Sequence, residues 1–123
     1  MSMHIAGERF DFRERPSRLP EPDAWRELDR AVWRWMLAHG SDELTARVAG
    51  WVSHAEGQGH SALPLSEVVA DGDASWAQAL DAALRHSALV IDGARGETRP
   101  CPLVRDGGYV YLLRNHRAEV AVA

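Results

Sequence analysis

Residues 54–65 read HAEGQGHSALPL, a stretch in which two histidines flank a glycine-rich turn. His54 and His60 flank a turn built on Gly57 and Gly59. A glycine-rich turn leading into a reactive side chain can cradle a phosphate or hold a catalytic group, and two histidines can begin a metal site. Zinc, however, wants three or four ligands at characteristic spacing. The one cysteine, Cys101, is remote in sequence and has no CxxC companion. The histidines therefore read as structural or surface groups, and no metal, cofactor or catalytic residue is expected. Cys101 sits between Pro100 and Pro102 without a nucleophile signature and reads as a small apolar group. No GxSxG elbow is present. Asp71 and Asp73 lack the further ligands and terminal glutamate of a calcium loop, so they read as a cap for the helix that follows.

A second constellation concerns binding. Arg26, Arg30 and Arg34 step by four, and Trp33 and Leu37 do the same beside them. On a helix, Arg26, Arg30, Trp33 and Leu37 form one strip off the apolar stripe. Arginine and tryptophan anchor protein interfaces, and they also suit phosphate contacts and base stacking. The strip is the candidate partner interface. The competing reading is a solvated arginine face with a packed tryptophan.

The totals narrow these options. The chain has 123 residues, about one domain, and its 46% hydrophobic content reads as globular. All 14 basic residues are arginine. Without lysine there is no P-loop lysine, no Schiff base and no lysine general base. A net charge of −4 argues against holding nucleic acid through the overall field. No apolar run is long enough to span a bilayer, and the first 23 residues lack a signal-peptide core. The single cysteine excludes an internal disulfide and points to the reducing cytoplasm.

These residues need elements to position them. Residues 1–22 carry Pro16, Pro20 and Pro22 among alternating charges, with Phe10 and Phe12 as the sizeable apolar groups in the middle, and they predict a flexible extension. Asp23 is the expected cap of a first helix whose stripe is Trp25, Leu28, Val32, Trp35 and Met36, stopped by Gly40. Ser41, Asp42 and Glu43 open a second, with Leu44, Val48, Trp51, Val52 and Ala55 inward, ended by Gly57 and Gly59. A short third helix over Ser66–Ala70 and a fourth from about Ser75, carrying Trp76, Leu80, Ala83 and Leu84, follow. Ala88–Ile91 reads as a strand, 95–100 as a polar loop, and two extended runs about Asp106-Gly107 as a hairpin. Residues 115–123 resemble the start of a helix. The expected fold is α+β: a compact, mostly helical domain of three to four helices over 23–123, with a small antiparallel hairpin at its end.

With the hairpin placed, two stretches in order carry a resemblance. Ser53-His54, Gly57-x-Gly59-His60 and Leu63-Pro64-Leu65 are similar to the G-x-G-H-x-x-L-x-L pattern of the N-terminal domain of RecD, the alpha subunit of exodeoxyribonuclease V (the RecBCD enzyme). Pro102-Leu103-Val104, Asp106-Gly107, Tyr111-Leu112, Arg114 and Glu119 resemble the same family's P-L-V, turn, L-Y-L-x-R and final glutamate. Leu28-Asp29 stands where the family often has a Leu-Asp pair. His116 departs from it, standing where an aromatic is usual, as does the proline-rich head. The resemblance covers roughly residues 25–123. It implies a non-catalytic domain that contacts a RecC-like subunit in a complex that unwinds and degrades broken DNA ends. It implies no small-molecule substrate, weak or absent direct nucleic-acid binding, and no membrane. Gly57, Gly59, His60 and Gly107 then become structural turn residues, with His60 hydrogen-bonding locally. Two other readings stay open: a stand-alone winged-helix-like nucleic-acid binder or adaptor, and a small enzyme of another type.

Overall fold

The computed structural model describes residues 2–5, 8–11, 22–68, 74–95 and 101–113. The elements in chain order are β1 (Ser2–Ile5), β2 (Glu8–Asp11), α1 (Glu27–Ala38), α2 (Glu43–Gly57), β3 (Ala62–Pro64), α3 (Leu65–Val68), α4 (Ala74–His86), β4 (Val90–Asp92), β5 (Leu103–Asp106) and β6 (Tyr109–Leu112). The α+β class expected from the pattern is the class observed.

The helix α2 is central. Every residue from Leu44 to Ser53 is buried, including Thr45 and Arg47. Asp42 caps it by accepting the Thr45 amide at 2.9 Å. Its small residues face α1. Gly50, Ser53 and Gly57 recur at spacings of three and four, so they line one side. A Cβ on Gly50 would overlap the Trp25 ring, and one on Gly57 would stand 2.5–2.6 Å from the two terminal nitrogens of Arg26. Glycine is needed at 50 for the close approach of the ring, while at 57 it leaves room for the Arg26 guanidinium. Trp25, Met36, Leu44, Trp51 and Leu84 join the inner sheet residues Leu63, Leu103 and Val110 in the main core.

The exits of α1 and α2 use the same device. Gly40 and Gly59 have φ of +90° and +92°. The His60 amide bonds to the Ala55 carbonyl and the Gly59 amide to Glu56, each at 3.0 Å. The Ser41 amide bonds to Met36 and the Gly40 amide to Leu37, at 3.0 and 3.2 Å. Each is a Schellman motif, with the positive φ at glycine. The glycine turn that opened the question is therefore a helix stop. Gly57 itself is the last helical residue, and His60 is exposed.

The hairpin is part of a larger sheet of four strands, ordered β3-β6-β5-β4. β6 runs antiparallel to both β3 and β5, while β4 is parallel to β5. Gly107 and Gly108 both have positive φ and lie between the paired residues Asp106 and Tyr109. Positive φ at both central residues is the two-residue turn whose twist matches the strands. Ile91, Cys101 and Val104 form a small second cluster with Tyr111 and Leu113.

Within residues 1–22, expected as a flexible extension, there is an antiparallel pair, with Ser2 opposite Asp11 and Ile5 opposite Glu8. The prolines that suggested a plain tail all follow Asp11. Other expectations need correction. The α1 helix begins at Glu27 rather than just after Asp23, because Pro22–Ala24 forms a separate 3-10 turn closed by the Trp25 amide on Pro22. β3 was not foreseen, since its three residues are too few to show alternation. β4 starts two residues later than Ala88, which lies in a turn. The predicted cap residues Asp71 and Asp73, the residues 96–100 of the loop, and the helical reading of 115–123 all lie outside the described residues.

Candidate interaction surface

The largest difference from the sequence reading is the rotation of α1. Its inward stripe is Asp29, Val32 and Met36, continuing from Trp25 just before the helix, with Asp29 fully buried. Leu28 and Trp35, expected in the core, are 57% and 44% exposed. A carboxylate replaces a leucine on the inner face because α2 supplies partners for it. Ser53 Oγ donates to Asp29 Oδ1 at 2.6 Å. Arg26 Nη2 donates to the same oxygen at 2.7 Å and Arg26 Nε to Oδ2 at 3.2 Å. The Arg26 backbone amide reaches Oδ2 at 3.1 Å, so Asp29 also caps its own helix. His54 Nδ1 lies 3.5 Å from Oδ2.

Burial pushes the Asp29 carboxyl upward, but the hydrogen bonds from Arg26 and Ser53 outweigh it and hold its pKa below the ordinary value. The Arg26 guanidinium is raised, chiefly by its hydrogen bond to Asp29. The carboxylate therefore stays ionised in its buried seat.

This network occupies the residues proposed as the interface strip. Arg26 donates to the Ser53 carbonyl at 2.9 Å as well as to Asp29. Arg30 donates to the carbonyls of Trp25 and Pro22, at 2.8 and 3.2 Å, and pairs with Glu27. Trp33 is half-buried, edge-on to Trp25 with centroids 5.9 Å apart, and the Arg47 guanidinium stands 5.3 Å from its ring. Leu37 is exposed at 37%. Arg26, Arg30, Trp33 and Leu37 do share one flank of α1, as their spacing required. On that flank the two guanidiniums and the indole are engaged with the turn before α1 and with α2.

The opposite flank is apolar and open. Leu28 and Trp35 are seven residues apart and so lie one above the other, with Ala31 between them. Beside Trp35 a cleft of about 320 Å³ runs between α1 and the hairpin, lined by Val32, Trp35, Met36, Pro102, Leu103 and Leu112. The Trp35 ring stacks on His39 with centroids 3.8 Å apart, which fixes its orientation. An exposed leucine and tryptophan beside an apolar cleft is the kind of surface that marks contact with another macromolecule. Sequence reasoning missed it by placing Leu28 and Trp35 inward. The usable signal was the Leu28-Asp29 pair. Neighbours on a helix are about 100° apart, so a buried Asp29 turns Leu28, and Trp35 with it, to the side.

Among the described residues, no three histidine, cysteine or acidic side chains gather to hold a metal ion, and no helix is long and apolar enough to cross a membrane. Cys101 is buried and donates to the Ala88 carbonyl at 3.3 Å. Compared with known families, residues 21–111 match the family described as RecBCD enzyme subunit RecD, N-terminal domain. Comparison with curated proteins finds no match.

Proposed function

The chain belongs to the RecD N-terminal domain family, and from that membership we propose that it is the non-catalytic interaction domain of a RecD-like subunit, docking on a RecC-like partner. The observation that carries the choice of surface is the apolar flank of α1: Leu28 and Trp35 stand 57% and 44% exposed beside a cleft with apolar walls. Tryptophan anchors at the centre of such patches dominate binding energy. The buried Asp29–Arg26–Ser53 network locks α1 onto α2 and so sets the direction of that flank. In this reading Arg26, Arg30 and Trp33 act from beneath, by holding the helix that presents the surface. Nucleotide chemistry belongs to other parts of the complex, because a chain without lysine has no P-loop. The net charge of −4 weighs against direct nucleic-acid binding.

The test is titration of a RecC-type subunit with the parent chain, Trp35→Glu, Leu28→Glu and Leu37→Glu, each checked by thermal melting. Trp35→Glu should weaken association by about tenfold or more, the scale of a lost interface anchor. Its melt should change little, since the side chain already meets solvent. If Leu37→Glu abolishes binding and Trp35→Glu leaves it intact, the contact is on the Arg26–Trp33 flank and the surface chosen here is wrong. If the parent does not bind the RecC-type subunit, the partner itself is wrong.

A further inference from the structure

Where the end of α4 meets β4 and β5, there is a second site that the α1 surface does not use. Three arginines meet there around a cavity of about 320 Å³ lined by Leu84, Arg85, Val90, Asp92, Arg95 and Arg105. They come from three elements: Arg85 from the end of α4, Arg95 from the turn after β4, and Arg105 from β5. None of these residues lines the α1 cleft. Arg105 is 25% exposed and lies deepest, while Arg95, at 82%, stands on the rim.

The charges do not cancel. Asp81 is shared, with Oδ2 held by Arg85 Nε at 2.9 Å and Oδ1 by Arg105 Nη2 at 2.5 Å. Asp92 Oδ2 lies 3.6 Å from Arg95 Nε. Among the described residues, three guanidiniums against two carboxylates leave one positive charge in a chain that is negative overall. A guanidinium carries five N–H donors, and Asp81 takes up few of the ten on its two arginines. The cavity is a fork of donors with a single excess charge, and Asp81 already shows that a carboxylate fits between two of the arms.

We propose that this cavity receives a carboxylate side chain from an acidic segment of a partner protein. Arginine forks match carboxylate geometry. One excess charge suits one carboxylate better than the repeated phosphates of a nucleic acid, which the net charge of the chain repels. β4 is the end strand of the sheet among the described strands. An extended segment can therefore run along it with an acidic side chain over the cavity. This inference does not rest on the RecC-like reading, because it concerns different residues and any acidic partner would serve.

The experiment is an NMR titration of the full chain with the peptide acetyl-Val-Glu-Val-Glu-Val-amide, the same peptide with glutamine for glutamate, and a thymidine oligonucleotide. The glutamate peptide should shift the amides of residues 84–95 and of Arg105 saturably at millimolar concentration, and the glutamine peptide should not. Removing the rim guanidinium by Arg95→Gln should weaken the glutamate peptide by about threefold to fivefold, the range of an exposed ion pair. Asp81→Asn should tighten it by a similar factor, about threefold, by releasing two arginines. Arg95→Gln tests the site through a side chain that contributes little to folding. The proposal fails if both peptides bind alike, if neither shifts these amides, or if Asp81→Asn folds normally and binds more weakly. It fails equally if the oligonucleotide saturates the same amides and the glutamate peptide does not.

Discussion

Gly50→Ala is the sharpest test of how α1 sits on α2. Gly50 lies inside α2, where alanine is favoured over glycine by about 1 kcal/mol. Helix propensity alone therefore predicts a more stable protein. The structure predicts the opposite. A Cβ at position 50 would overlap Trp25 Cη2 and Cζ3 and stand 3.1 Å from Cε3. Trp25 is 3% exposed and edge-on to both Trp33 and Trp51, at 5.9 and 6.3 Å, so its ring has no free direction in which to yield. Overpacking a filled core costs about 1–3 kcal/mol, and full loss of a buried aromatic about 3–5 kcal/mol. An overlap this close takes the upper end of that overpacking cost, about 3 kcal/mol, and less the helical gain of about 1 kcal/mol the net loss is about 2 kcal/mol. For a domain of this size that lowers Tm by roughly 5–15 °C. Thermal and urea melts with tryptophan fluorescence would read both the stability and the ring's environment. A variant that melts at or above the parent, with unchanged fluorescence, would refute the packing of Trp25 on Gly50. Measured in a Trp25→Leu background, Gly50→Ala should cost less than it does in the parent, since the smaller side chain clears the Cβ.

Two more outcomes follow from the same interface. Asp29→Asn should cost about 2 kcal/mol near neutral pH, by weakening buried charge-assisted hydrogen bonds. Because the folded pKa of Asp29 is depressed, its contribution is present above the ordinary value of 3.8 and is lost as pH falls through the folded value. The gap between parent and Asp29→Asn melting curves should therefore be full at neutral pH and close in strong acid; a gap independent of pH counts against an ionised Asp29. At the Schellman turn, Gly59→Ala should cost about 1 kcal/mol through its φ alone, with open space around it. Gly57→Ala should act differently, displacing the Arg26 guanidinium. Its loss should largely vanish in an Arg26→Ala background, as a double-mutant cycle would show, whereas that of Gly59→Ala should persist.

Local chemistry was legible in this chain wherever neighbours in sequence decide the outcome. The glycine stops at 40 and 59, the Asp42 cap, the glycine turn of the hairpin and the exclusion of a P-loop all follow from residue type and short spacing. The family pattern, too, is carried by two short motifs in order. Tertiary structure decided the rotation of α1. An aspartate counts as an outward residue in any pattern of apolar spacing. Here Ser53, 24 residues away, and Arg26 satisfy it in the interior, and that turns Leu28 and Trp35 out to form the candidate surface. It also decided why Gly50 and Gly57 are glycines, since the atoms that crowd a Cβ belong to Trp25 and Arg26, in the segment that leads into α1. The arginine cavity is of the same kind. Arg85, Arg95 and Arg105 are unremarkable along the chain, and only the parallel pairing of β4 with β5 and the packing of α4 bring them to one opening. Spacing along a chain reports what a residue's own helix or strand requires; what the facing element offers is set by contacts distant in sequence.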